Sequence, residues 1–184
     1  MINYGLPTTI ELSGQEYGIR SDYRAVLDIC TALCDINLND SEKAIVTCEI
    51  LYPEYKKIKD LEEATEKAFE FINLGQPVTD QKPKPALMNW EQDFNLIVPA
   101  INKVTGQEIR SIPYMHWWTF VAAYMEIGEC LFSNVIGIRQ KRAKGKKLEK
   151  YEQEFMNENS DMVILKQQYT DEEQAFIDNL MKGV

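Results

Sequence analysis

Apolar and polar residues alternate only near the start of the chain. Residues 8–14 alternate in this way, and a second short segment, residues 15–19, follows Gly14. Alternation of period two on both sides of a glycine is typical of two paired strands. The pattern predicts a small β-hairpin within residues 1–20 that turns near Gly14.

The spacing of apolar residues then changes to threes and fours, which predicts three helices within residues 22–75. We expect Asp22 to cap the first helix and Asp40 or Ser41 the second, which Pro53 stops. Gly75 is expected to end the third in the left-handed conformation. The three apolar stripes are Tyr23, Val26, Cys30 and Leu33; Ile45, Cys48 and Leu51; and Leu61, Ala64, Ala68, Phe71 and Ile72.

A proline-rich polar connector, residues 76–87, separates this first group from a second helical group, residues 88–160. We interpret it as an exposed loop within one domain, residues 1–184, because each half alone is short. The next helix is predicted to end at Gly106, with Pro99 producing a kink or an early break. Its stripe is Trp90, Phe94, Ile97, Ile101 and Val104.

The stretch around the only histidine predicts a helix from Tyr114 to Ile127, with Pro113 in its first turn. That helix is apolar on almost every side, so Trp117 and Trp118 are predicted to pack inside the protein. A thin polar line remains, on which His116 is expected to meet water or a neighbouring side chain. The line consists of His116, Thr119, Ala123 and Glu126.

The last third of the chain predicts two further helices and a docking tail. One follows Gly128, and the other ends near Asn159. In the acidic segment, residues 161–184, Thr170 and Glu173 form a capping box before a short amphipathic helix, which must dock on its own domain or on another subunit. The apolar positions are Leu131, Phe132, Val135, Ile136 and Ile138; Leu148, Tyr151 and Phe155; and Phe176, Ile177, Leu180 and Met181. The whole pattern predicts a mainly α fold of six to eight helices with the small N-terminal hairpin.

Composition narrows the class of protein. Apolar residues make up 45% of the chain and charged residues 27%, as in globular proteins. A net charge of −9 argues against nucleic acid as the main partner. No apolar run reaches the ~20 residues of a membrane span, and no secretion signal is evident, so we expect a cytosolic protein without a membrane partner. The four cysteines are predicted to be small buried hydrophobic residues.

The sequence contains no constellation that calls for catalysis. A single histidine excludes paired-histidine metal sites and leaves any serine triad dependent on His116. No glycine-rich phosphate-binding motif is present. We therefore expect no enzymatic activity, no catalytic residues, no cofactor and no metal.

Residues 139–150 carry seven basic residues and one acidic residue, a net charge of +6 within an acidic chain. Three interpretations stay open: a solvated surface, a site for an acidic protein partner, and a nucleic-acid patch.

Four features in order resemble a known family. They are residues 6–14 with 17–24; residues 40–43 with Leu51 and Tyr52; residues 90–94; and residues 116–120, followed by 136–139 and 144–147. Together they resemble the gene product fifteen family of bacteriophages of Gram-positive hosts, and the resemblance extends to about Asn159. Genes of this family lie between those of the major tail protein and the tape measure, the position of tail-assembly chaperone genes.

The resemblance implies a non-enzymatic tail-assembly chaperone in the host cytoplasm that binds the tape-measure protein, tail-tube subunits or further copies of itself. An apolar groove with a charged rim would bind an amphipathic helix of the partner. The alternatives are a structural component of the tail or connector, located in the virion, and a nucleic-acid-binding regulator that uses residues 139–150. The candidate partner-binding residues are Trp90, Trp117, Trp118, Arg139, Lys141, Arg142, Lys144, Lys146 and Lys147.

Overall fold

The fold is mainly α-helical, as the sequence pattern predicts. The computed structural model describes residues 5–77 and 85–167, together with residues 169, 170 and 173. Within these residues an antiparallel hairpin precedes eight α-helices, and Tyr55–Lys57 forms one turn of 3-10 helix. The hairpin strands are β1 (Thr9–Leu12) and β2 (Gln15–Gly18); the helices are α1 (Tyr23–Cys34), α2 (Asp40–Leu51), α3 (Leu61–Ile72), α4 (Trp90–Thr105), α5 (Trp117–Met125), α6 (Leu131–Ala143), α7 (Lys150–Glu158) and α8 (Ser160–Val163).

The hairpin turns at Ser13 and Gly14, which confirms the predicted position. Both residues have positive φ, 49° and 79°, the geometry that matches the twist of two strands joined by a two-residue loop. Ile10 pairs with Tyr17, and Leu12 and Tyr17 are buried in the core. The hairpin therefore closes one end of the helical core.

The first three helices agree with their predicted stripes in most respects. Asp22 caps α1 by accepting from the backbone N–H of Arg24. The cap of α2 is Asn39, in a capping box with Glu42, so the prediction of Asp40 or Ser41 is wrong by one or two positions. Ile45 is 46% exposed, because α2 buries only the side that carries Thr47, Cys48 and Leu51. Gly75, at φ 79°, ends α3 as expected and donates to the carbonyl of Glu70.

Helix α4 continues through Pro99 to Thr105, so the early break expected at this proline does not occur. Gly106 ends it in the left-handed conformation, as predicted. Val104, expected in the apolar stripe, is 41% exposed because it lies in the last turn of the helix.

Helix α5 begins three residues later than predicted. His116 is its N-cap, and Pro113 precedes the helix rather than lying in its first turn.

The predicted capping box at Thr170 is present, with Glu173 accepting from Thr170 N–H at 2.9 Å and Thr170 Oγ1 accepting from Glu173 N–H at 3.2 Å. The predicted apolar face after Glu173, like most of the connector, lies outside the described residues.

The main core joins the hairpin to helices from both predicted groups. At its centre the rings of Tyr23 in α1 and Phe120 in α5 stack, with their centroids 4.7 Å apart. A smaller cluster of Val135, Ile138 and Val163 fastens α8 to α6. The two clusters meet at Leu96 of α4, which packs against both.

Candidate functional site

An apolar depression lies between α1 and α4, and we call it the α1/α4 groove. Its volume is about 650 Å³, and one side is open to solvent. Its lining consists of Tyr23, Arg24, Leu27, Asp28, Thr31, Ala32, Trp90, Glu91, Phe94 and Arg110.

The floor of the groove is apolar and rigidly supported. Leu27, Trp90 and Phe94 are half-buried and pack against the main core. The Trp90 ring lies 5.3 Å from that of Tyr124 and 6.3 Å from that of Phe120, measured between centroids. A floor held by an aromatic cluster is preorganised, so a partner does not have to order it on binding.

The two cations at the edge of the groove already have partners within the chain. Arg24 pairs with Asp22 and donates to the carbonyl of Ile112 at 2.7 Å. Arg110 donates to both carboxylate oxygens of Glu108, at 2.8 and 3.0 Å. These hydrogen bonds from Arg110 lower the pKa of Glu108 from 4.5 to about 2.

The two anions at the edge, unlike the two cations, have no partner among the described residues. Asp28 and Glu91 are exposed and make no hydrogen bond or ion pair with any described residue. The uncompensated charge of the groove is therefore negative. An apolar floor with acidic edges suits an amphipathic helix whose apolar face is flanked by lysine or arginine.

Of the three candidate tryptophans, only Trp90 lines this groove. Trp117 is 4% exposed, and its indole N–H donates to the carbonyl of Ile72 at 2.9 Å. Trp118 donates in the same way to the carbonyl of Phe71 at 2.9 Å. These two residues close the C-terminal end of α3 and do not line the α1/α4 groove, and their role as partner-binding residues stays a prediction.

His116 is buried and has two structural partners. Its Nδ1 accepts from the backbone N–H of Trp118 at 3.0 Å, so the proton of the neutral ring lies on Nε2. Nε2 then donates to the carbonyl of Pro7 at 2.9 Å. Both hydrogen-bond partners are backbone groups, and the ring also meets the neighbouring side chains of Phe71 and Trp118 edge-on, with centroids 5.8 and 6.0 Å away, so the expected contact with a neighbouring side chain is present.

Arg139, predicted at the rim of a binding groove, is instead buried at 5% exposure. Its guanidinium donates to both carboxylate oxygens of Asp93, which is itself 0% exposed, at 2.6 and 2.9 Å. It also donates to the carbonyls of Leu87, Met162 and Val163. Arg139 thus joins α4, α6, α8 and the segment before α4, and it is not available to a partner.

The rest of the basic run divides into two sets, of which the first, Lys141 and Lys150, has acidic partners, with Lys150 lying 3.9 Å from Glu154. Lys141 donates to both carboxylate oxygens of Glu152, at 2.7 and 2.8 Å, and this contact lowers the pKa of Glu152. The second set, the basic patch, is exposed and forms no ion pair with any described residue. It consists of Arg142, Lys144, Lys146 and Lys147.

The cysteines differ in burial. Cys48 is buried beside Thr65 and Cys30 is half-buried, and burial raises the pKa of Cys30 to about 12. Cys130 is also half-buried and caps α6. Cys34 is exposed, so the prediction that all four are buried is wrong for this residue.

The comparisons with known proteins assign the family. The family model described as "Bacteriophage Gp15 protein" matches residues 2–165. The chain belongs to the bacteriophage Gp15 family. This confirms the family resemblance of the four ordered features, and the chain is a phage protein. No curated protein and no solved structure matches it.

The Gp15 match covers the α1/α4 groove, His116, Arg139 and the basic patch, and it ends at residue 165, two residues after α8. None of the helices in the part of this Gp15 chain that the structure describes is both long and apolar enough to span a membrane.

Proposed function

We propose that this phage protein is a non-enzymatic tail-assembly factor that binds an amphipathic helix of the tape-measure protein in the α1/α4 groove. The observation that carries the proposal is the groove itself, with its apolar floor of Leu27, Trp90 and Phe94 and its unpaired acidic edges. A long tape-measure helix exposes an apolar face that aggregates in water, and covering that face keeps the helix soluble.

A chaperone has to release its client, and the size of the groove suits this requirement. A groove of about 650 Å³ accommodates a few side chains, far fewer than the ~20 to 30 residues per side of a stable interface. A single copy therefore binds weakly. Many copies along one tape measure would cover it and still leave as tail-tube subunits arrive.

The test is co-expression of the chain with the tape-measure protein of the same phage, in the host cytoplasm where we place the function. The wild-type chain should increase the soluble fraction of the tape measure and copurify with it. No copurification and no gain in solubility, with a known chaperone pair working in parallel, would exclude the proposal.

Two matched sets of variants locate the binding surface. Thr31 lies exposed within the groove, and Thr119 is an exposed threonine of α5 outside it. Thr31→Glu and Thr31→Lys both place a charge on the apolar surface, and each should reduce recovery about tenfold, the effect of ~1.4 kcal/mol. Thr119→Glu and Thr119→Lys should bind like the wild type. Equal binding by all four would place the tape-measure site elsewhere.

A structural component of the tail is the second candidate. Met125 and Leu131 are 67% and 44% exposed and flank the connection between α5 and α6, as expected of a contact between subunits. Mass spectrometry of purified virions separates the two functions. A chaperone is absent from the virion, whereas a component is present in stoichiometric amount.

A further inference from the structure

The segment after α8 is fixed to the beginning of α4 by one side chain. The Gln92 amide N–H donates to the carbonyl of Ile164 at 2.9 Å, and its oxygen accepts from the backbone N–H of Lys166 at 3.0 Å. The amide thus pairs with an extended backbone in the way that a neighbouring strand does. This anchor holds the chain beside α4 at residue 166.

The anchor lies next to the α1/α4 groove. Glu91, adjacent to Gln92 in sequence, lines the groove and also lines a polar depression that includes Lys166 and Gln167. Glu91 therefore belongs to both depressions, and the chain leaves its anchor on the side of α4 next to the groove.

The sequence beyond the anchor has the form of a short helix with one apolar face. The Thr170–Glu173 capping box starts it, and Phe176, Ile177, Leu180 and Met181 follow at helical spacing. A helix of this length is not stable alone, so its apolar face requires a surface to cover it.

We propose that this tail, residues 170–184, docks by its apolar face in the α1/α4 groove of its own chain. The four residues from Lys166 to Thr170 span at most ~13 Å when extended, which confines the start of the helix to the neighbourhood of the anchor. Docking on the same chain follows from this short connection. The proposal does not depend on which partner the groove binds.

The charges predict an unusual salt dependence. Residues 170–184 carry four acidic residues and one basic residue, a net charge of −3, while the unpaired charges of the groove are Asp28 and Glu91. Docking therefore acts against electrostatic repulsion and is driven by apolar contact. Added salt should strengthen it, because salt screens like charges and does not weaken apolar burial. A helix with basic flanks would displace the tail easily.

The test uses the full chain and the quenching of Trp90 fluorescence by acrylamide, with a Trp90→Phe variant to subtract Trp117 and Trp118. The variant Phe176→Ser/Leu180→Ser removes half of the apolar face. It should raise the quenching constant of Trp90 about twofold, because the tail is docked in most wild-type molecules and in only a minority of variant molecules. The matched variant Gln174→Ser/Asn179→Ser changes two polar residues outside the apolar face, keeps the charge of the tail and should leave the constant unchanged.

Three further measurements make the result decisive. Thr31→Glu and Thr31→Lys should both increase quenching, because a charge of either sign opposes apolar docking, whereas the Thr119 variants should not. Raising sodium chloride to about 1 M should decrease quenching in the wild type, since the Debye length falls to ~3 Å. Wild-type quenching should not change with protein concentration.

Equal quenching in the wild type and the Phe176→Ser/Leu180→Ser variant would overturn the inference. So would protection of Trp90 that grows with protein concentration and accompanies a dimer in light scattering, since the tail would then dock on a second copy. Neither result affects the co-expression test, so failure of this inference and failure of the proposed function are distinguishable.

Discussion

The buried pair of Arg139 and Asp93 predicts a large loss of stability when one partner is removed. Arg139→Met retains most of the side-chain volume and removes the charge. Asp93 then keeps a single backbone donor, the N–H of Asn89 at 3.0 Å, in a position with 0% exposure. The carbonyls of Leu87, Met162 and Val163 lose their guanidinium donor as well.

The expected cost is about 4 kcal/mol, because an unpaired buried charge alone costs ~3 to 5 kcal/mol. That is a large fraction of the ~5 to 15 kcal/mol by which a domain is stable. In the double variant Arg139→Met/Asp93→Leu the stranded charge is gone. It should recover only about a quarter of the loss, because the three carbonyls, worth ~1 kcal/mol each, stay without this donor.

Urea unfolding followed by tryptophan fluorescence measures these differences. Arg142→Met, three residues away and exposed, is the matched control and should change the free energy of unfolding by less than ~0.5 kcal/mol. A cost below ~1 kcal/mol for Arg139→Met, or a double variant less stable than the single one, would refute the reasoning. In binding assays, loss of function in an Arg139 variant would report unfolding rather than a lost contact.

Three smaller effects follow from the contacts already described. His116→Asn should keep the cap of α5 and lose the bond to Pro7, whereas His116→Gln should do the reverse; each should be more stable to urea than His116→Ala, which loses both at a cost of about 2 to 3 kcal/mol. The pKa of Glu108 is lowered to about 2, so its contribution to stability is complete above pH 4.5 and is lost as the pH falls from 4.5 towards 2. The urea midpoint of Glu108→Gln should therefore fall less steeply with pH across this range than that of the wild type. An unchanged slope would contradict the assignment. Gly75→Ala should cost at least 1 kcal/mol in urea unfolding, since φ is 79° and the new Cβ would lie 3.4 Å from the Trp118 ring, whereas Gly137→Ala in open space within α6 should stabilise by about 0.5 to 1 kcal/mol.

Local patterns were sufficient to predict the hairpin and most of the helices. The hairpin follows from alternation around Gly14, and the ends of α3 and α4 follow from Gly75 and Gly106, which adopt the left-handed conformation there. Local chemistry dictates these features. The start of α5 was missed because Pro113 also suits a first helical turn, whereas tertiary contacts set the later start: the backbone of Met115 and Trp117 pairs with that of Tyr23 and Ser21, and His116 bonds to Pro7.

The buried ion pair carries a signal in the sequence that an interpretation by charge alone overlooks. Asp93 lies three residues after Trp90 and four before Ile97, and Arg139 lies four residues after Val135. Both charges therefore fall on apolar stripes of their helices. Opposite charges in two such positions predict a pair, since a buried charge requires a partner.

The α1/α4 groove is a tertiary feature, and the sequence indicates only part of it. Trp90 was singled out as an aromatic residue on a helix, but Leu27 and Phe94 are ordinary stripe residues. Their pairing across the groove depends on how α1 and α4 pack around α5, which no local pattern encodes. The basic run attracted attention by its charge, yet its first member, Arg139, serves the interior.

The two tryptophans at the start of α5 also determine when the protein can fold during synthesis. The carbonyls of Phe71 and Ile72, at the end of α3, accept hydrogen bonds from the indoles of residues 118 and 117. The carbonyl of Pro7 accepts from the ring of residue 116. The first three helices therefore leave the ribosome before the carbonyls at the end of α3 have their indole donors, and the main core is completed only after α5 has emerged. A chain that ended before residue 116 would lack all three donors and would leave the C-terminal end of α3 uncovered.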